Sequence, residues 1–166
     1  ENVMNVHGYG PPIDIPQTYN HDVYFTWRSG SWGQATWKTA WKKFKQDNTL
    51  MNRINTNPDF RHKVERAGND LIPMLHQEIN DEVDSGAVWW SLTLIRHEGV
   101  SINPVDSKVQ NIGIDGTGVH SGSSNHYDVD VDSGADFQGI AFPPCVKVNE
   151  TLNSRYNRFM TEGLRG

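Results

Sequence analysis

Between residues 31 and 98 the apolar side chains recur at the three- and four-residue spacing of helices, and runs suited to strands stand only outside that stretch. Short strands around a long helical middle predict an α/β or α+β fold that is helix-rich. No internal repeat interrupts the pattern. At 166 residues the chain can bury one core, so it reads as a single domain or part of one spanning 1–166.

Val3-Met4-Asn5-Val6 is the first strand candidate, and Val23-Tyr24-Phe25-Thr26-Trp27 is the second, ending at Ser29-Gly30. Between them Gly8, Gly10, Pro11, Pro12 and Pro16 break both ladders and predict a loop. Ser31 is then expected to cap a helix whose core face is Trp37, Trp41 and Phe44, with Lys38, Lys42, Lys43 and Lys45 mostly on other faces. Asp47 can cap a helix carrying Leu50 and Ile54, and Asn57-Pro58 opens the next with proline in its first turn. Gly68-Asn69 predicts a break, with Pro73 in the first turn of a helix through Ile79. Asp84 or Ser85 starts a helix containing Trp89 and Trp90 that Gly99 ends. Val100-Ser101-Ile102 and residues 108–112 are short strand candidates on either side of Pro104. A glycine-rich loop covers 113–122, and residues 149–162 read as a last amphipathic helix.

The strand at Val3 follows so closely on Glu1 that the chain is expected to be a fragment, with an open flank through which Val3, Met4 and Val6 self-associate. Fifteen basic against twenty acidic residues give a formal charge of -5, which argues against a general affinity for nucleic acid or anionic membranes. Cys145 is the only cysteine and is expected to be small, apolar and buried. No apolar run reaches the length of a membrane span and no signal peptide is evident at Glu1, so a cytoplasmic protein, at most peripheral to a membrane, is expected.

Three segments carry a resemblance. Trp32-Gly33-Gln34-Ala35-Thr36-Trp37, Asp84-Ser85-Gly86-Ala87-Val88-Trp89-Trp90, and Asn111-Ile112-Gly113-Ile114-Asp115-Gly116-Thr117-Gly118-Val119-His120 resemble, in order and spacing, motifs in the carboxy-terminal half of bacterial family-two glycosyltransferases. Two positions depart from the family pattern, with Gln34 and Gly86 standing where it has tryptophan. The resemblance covers about the first three quarters of the chain and leaves 123–166 unassigned. It implies an incomplete A-type nucleotide-sugar transferase fold, the acceptor-side half, with short mixed strands.

What the resemblance implies for single residues follows from the chemistry of inverting sugar transfer. Asp84 is the expected general base, which takes the proton of the acceptor hydroxyl; a simple helix cap is its structural alternative. Trp32, Gly33 and Trp89 are the expected substrate-binding residues, an aromatic face packing on the sugar ring and a glycine permitting close approach. His120 is the expected ligand of a divalent metal, manganese or magnesium, in the complete enzyme, or a hydrogen-bond partner of the donor diphosphate. The partners would be a nucleotide-sugar donor and a glycan or lipid-linked carbohydrate acceptor, with no transfer by this chain alone. Two other readings stay open: a non-catalytic carbohydrate-binding domain and an interaction domain. Asp128, Asp130 and Asp132 alternate with valines and read as a solvated edge or loop. No role is expected of His7, His21, His62, His76, His97 or His126.

Overall fold

β-Branched and aromatic runs pair into a small mixed sheet, and the helical middle of the chain packs against it. The computed structural model describes residues 2–112, 126–132 and 139–162. Its strands are β1 (Asn2–Val6), β2 (Val23–Thr26), β3 (Ala35–Thr36) and β4 (Gly99–Pro104), in the order β2-β4-β1-β3. β4 runs parallel to β1 and antiparallel to β2, while β3 is antiparallel to β1. All four residues of β2 are buried, which explains its continuous apolar run.

The helices are α1 (Lys38–Trp41), α2 (Thr49–Thr56), α3 (Pro58–Ala67), α4 (Leu71–Ile79), α5 (Gly86–Arg96) and α6 (Glu150–Glu162). Asn57 caps α3, its side-chain oxygen accepting from the Phe60 amide at 2.9 Å, and Pro58 occupies the first turn as its fixed φ allows. Asp47 accepts from the amide and hydroxyl of Thr49 at 3.2 and 2.6 Å, and these bonds, with Lys45 nearby, hold its carboxyl below the usual range. α2 to α5 share one core of Leu50, Ile54, Phe60, Val64, Leu71, Leu75, Trp89 and Leu92 among others. α5 is buried from Val88 through Ile95, so it is a core helix and not a half-wet one. α6 lays Leu152 and Tyr156 against Tyr24 of β2. No helix among the described residues is long and apolar enough to cross a membrane.

Several sequence expectations need correction. The helix expected from Ser31 begins only at Lys38 and lasts one turn, because residues 31–34 turn at Gly33 and residues 35–36 are taken by β3. Its expected core face therefore breaks up: Trp37 and Trp41 are 46% and 51% exposed, and Ala40 is the buried residue. Residues 108–112 form no strand. β1 does not leave an open flank along its whole length, since β4 covers one side and β3 pairs with Asn5 and Val6 on the other. The Thr36 hydroxyl also donates to the Met4 carbonyl at 2.7 Å, and Met4 itself is fully buried. Cys145 is exposed, beyond the Pro143-Pro144 pair.

Candidate functional site

Because β1 and β4 are parallel, their carboxyl ends meet at one edge of the sheet, where open α/β sheets commonly bind ligands. The turn carrying Trp32 and Gly33 docks there. The Gly8 amide donates to the Gly33 carbonyl at 2.9 Å and the Tyr9 amide to the Trp32 carbonyl at 3.3 Å. Gly33 has a φ of +64°, and a Cβ there would stand 3.0 Å from the Gly8 Cα and from Val109 Cγ1, so glycine serves both the conformation and the close approach. Trp32 is half-buried, with Tyr9 and Tyr127 edge-on at ring-centre distances of 4.7 and 5.1 Å. The Tyr9 hydroxyl donates to the Tyr127 carbonyl at 3.1 Å, and burial pushes that phenol above its ordinary pKa. Tyr127 continues the aromatic row to His126 and Phe159, which stack at 4.2 Å.

α5 reaches the same edge from the other direction. Only residues 97–98 join it to β4, with Glu98 in the left-handed region at φ 54°, so the helix runs back along the strand and its first turn lies near the strand's carboxyl end. Two contacts fix that course: the Trp90 indole N–H donates to Asn5 Oδ1 at 3.0 Å, and the Ser91 hydroxyl donates to the Ser29 carbonyl at 3.2 Å. Gln34 donates to the same Asn5 oxygen at 3.0 Å, tying the Trp32 turn to the helix.

Asp84 sits one residue before Ser85, the N-cap of α5, and neither supplies a side-chain cap. Glu78 of α4 braces the helix start instead, its carboxylate accepting from the Ser85 amide and, at 2.7 Å, from the Trp89 indole. Asp84 is exposed and makes no hydrogen bond or ion pair among the described residues. A side chain at Gly86 would meet nothing within 4 Å. The surface beside Asp84 is therefore open. Trp89 has a different position: it is 3% exposed inside the core shared by α2 to α5, and its ring offers no face to a ligand.

Below this edge lies a buried polar cluster that sequence reasoning missed. Arg28 pairs with Asp70 at 2.6 Å with both side chains at most 7% exposed. Asn103 donates to the Thr26 hydroxyl at 2.9 Å, and that hydroxyl donates to the Arg28 carbonyl at 2.9 Å. His7 Nε2 accepts from the Gly30 amide, which requires a neutral ring on that nitrogen, and a Cβ on Gly30 would come within 2.5 Å of the imidazole. Burial first, and then the Arg28 charge, lower His7 to about 4; burial pushes Tyr156 up to about 12. None of these residues forms a motif, because they come from just after β1, from the end of β2 and beyond, from β4, from the N-cap of α4 and from α6, and meet only after folding. The one available signal was a His directly after a strand and before glycine.

The His7 shift predicts a pH dependence. Its folded value lies below the unfolded one, so its contribution is complete above about pH 6.5 and is lost as pH falls toward about 4. The loss amounts to roughly 3 kcal/mol. Urea unfolding of the protein and of His7→Gln across this range checks it: the protein should lose more stability on acidification than the variant. Parallel curves would contradict a buried neutral His7.

No three His, Cys, Asp or Glu side chains gather to hold a metal among the described residues. His120 and Asp115 lie outside them, as do residues 113–122 of the glycine-rich segment. The run 128–132 is irregular and not a strand; Asp128 accepts from Gln110 at 2.7 Å and Asp132 pairs with Lys108. Two grooves elsewhere, one lined by Trp27, Lys63, Arg66, Ile95 and Glu98 and one between α3 and α6, include neither Trp32 nor Asp84. No family model, curated protein or solved structure matches the chain.

Proposed function

We propose that this chain supplies the acceptor-side wall and the general base of an inverting sugar-nucleotide glycosyltransferase. The reading rests on the exposed Asp84 carboxylate just before α5, the helix that the Trp90 and Gln34 bonds to Asn5 Oδ1 tie to the Trp32-Gly33 turn. A helix cap is its plainest alternative role, and Asp84 makes no side-chain bond to the first turn of α5. In the reaction Asp84 takes the acceptor hydroxyl proton as the acceptor oxygen attacks the anomeric carbon, and the bond to the nucleotide diphosphate breaks with its electron pair leaving on the phosphate. The half-buried Trp32 ring, held edge-on by Tyr9 and Tyr127, is a rigid surface for the C–H face of a sugar. The described residues present no donor set for a metal and are assigned no part in holding the nucleotide.

Saccharide titration followed by NMR tests the acceptor wall. Binding should perturb the Trp32 indole resonance, and Trp32→Ala should weaken it about two- to ten-fold, the range expected for loss of one aromatic contact. Affinity unchanged by Trp32→Ala would remove the turn from the acceptor site.

A further inference from the structure

The one-turn α1 leaves an unusual surface beside it. Trp37 and Trp41 stand exposed four residues apart, and Trp41 stacks on Phe44 with ring centres 4.7 Å apart and planes within 4°. Trp41 also leans on the buried Trp90 at 5.3 Å, so the platform is anchored in the core through α5. Around it Lys38, Lys42, Lys43 and Lys45 are all exposed, and no acidic residue occurs from Ser31 to Gln46. Lys45 meets Asp47 at 3.4 Å, while Lys38, Lys42 and Lys43 make no ion pair among the described residues. Arg96 extends the basic surface and is itself paired with Asp47 at 3.0 Å. Exposed tryptophans ringed by unpaired lysines match the chemistry of a membrane interface, where indoles settle at headgroup depth and ammonium groups meet lipid phosphates.

We infer that this patch docks the protein on an anionic lipid surface, with Trp37 and Trp41 entering the headgroup layer and Lys38, Lys42 and Lys43 pairing with lipid phosphates. The formal charge of -5 does not oppose this. Four of the fifteen basic residues lie between Lys38 and Lys45, which leaves eleven against twenty acidic ones in the rest of the chain, Arg96 and Asp47 at the edge of the patch among them, and repulsion is screened beyond about 8 Å at physiological salt. The charge asymmetry would turn the acidic remainder of the molecule away from the bilayer. Phe44 and Trp90 form a firm base under Trp41, so that ring needs no rearrangement to insert. The inference is independent of sugar transfer and would place a transferase beside lipid-linked acceptors if the proposed function holds.

Co-sedimentation with vesicles of phosphatidylglycerol in phosphatidylcholine, and with phosphatidylcholine alone, tests it. The protein should partition onto the anionic vesicles and release as salt is raised. Lys42→Gln with Lys43→Gln should lower partitioning by about five-fold per lysine, roughly twenty-five-fold together. Trp37→Ala, at an exposed site outside the helix, should weaken it without unfolding the chain, and circular dichroism checks that. Absence of binding to anionic vesicles, equal binding to both lipids, or binding indifferent to the lysine and Trp37 variants would overturn the inference. Soluble glycan binding lost with Trp37→Ala, without vesicle binding, would instead make the platform a sugar site.

Discussion

Arg28→Met should lower the free energy of unfolding by about 3–5 kcal/mol, the usual cost of stranding one member of a buried ion pair. The guanidinium lies 2.6 Å from Asp70 Oδ1, and the other Asp70 oxygen has no hydrogen bond, so its removal leaves the carboxylate unpartnered in the interior. Arg28 also holds β2 against the α3–α4 junction, where a Cβ on Gly68 would come within 2.7 Å of the guanidinium. A second change gives the effect its physical signature. Arg28→Met combined with Asp70→Leu removes both charges, and apolar replacement of a whole buried pair is often close to neutral, so the double variant should recover much of the loss. Asp70 supplies no side-chain cap to α4, and its backbone carbonyl still accepts from Met74 in the variant. Urea denaturation of the two single variants and the double measures the coupling. A single-variant loss below about 1 kcal/mol would mean that water reaches the pair, as at surface ion pairs.

Local signals in the sequence located most elements, and they failed where tertiary pairing decided the outcome. Asn57-Pro58, Gly68-Asn69 and Pro73 marked helix ends through backbone chemistry that acts within a few residues, and each stands where expected. Trp37, Trp41 and Phe44 had helical spacing, yet residues 35–36 pair with β1 and consume the turn that would have completed the helix. Spacing alone cannot detect such competition, because the partner strand lies thirty residues away. Lys108 to Ile112 carried strand propensity, but Lys108 instead donates its amide to Gly8 and its ammonium to Asp132. The site was legible in the same uneven way. Trp32, Gly33 and Asp84 belong to local motifs, whereas Glu78 bracing the start of α5 from α4, and the His7, Arg28 and Asp70 cluster, arise from contacts across the fold. Trp89 belongs to a local motif, but two adjacent tryptophans carry no sign that the helix holding them is covered on all sides.

Asp84→Asn should reduce sugar-transfer turnover on the order of a hundred- to ten-thousand-fold, the usual contribution of a general base, while donor affinity stays nearly constant. The amide keeps the size and polarity of the side chain but takes up no proton. Asp84 is exposed, without a hydrogen bond among the described residues, and Glu78 holds the helix start, so stability should move by no more than about 0.5 kcal/mol. Asp84→Ala should behave alike in both respects, which separates a base from a cap: loss of a cap would cost stability in the Ala variant. The carbohydrate-binding and interaction readings both expect Asp84 to be dispensable. The deciding measurement is single-turnover transfer from a nucleotide sugar to a saccharide acceptor, by this chain assayed together with a nucleotide-binding region, for the protein and for Asp84→Asn. The proposal requires a drop of at least about a hundred-fold with unchanged unfolding free energy. Turnover retained in Asp84→Asn would contradict it and send the search for the base elsewhere on the same sheet edge.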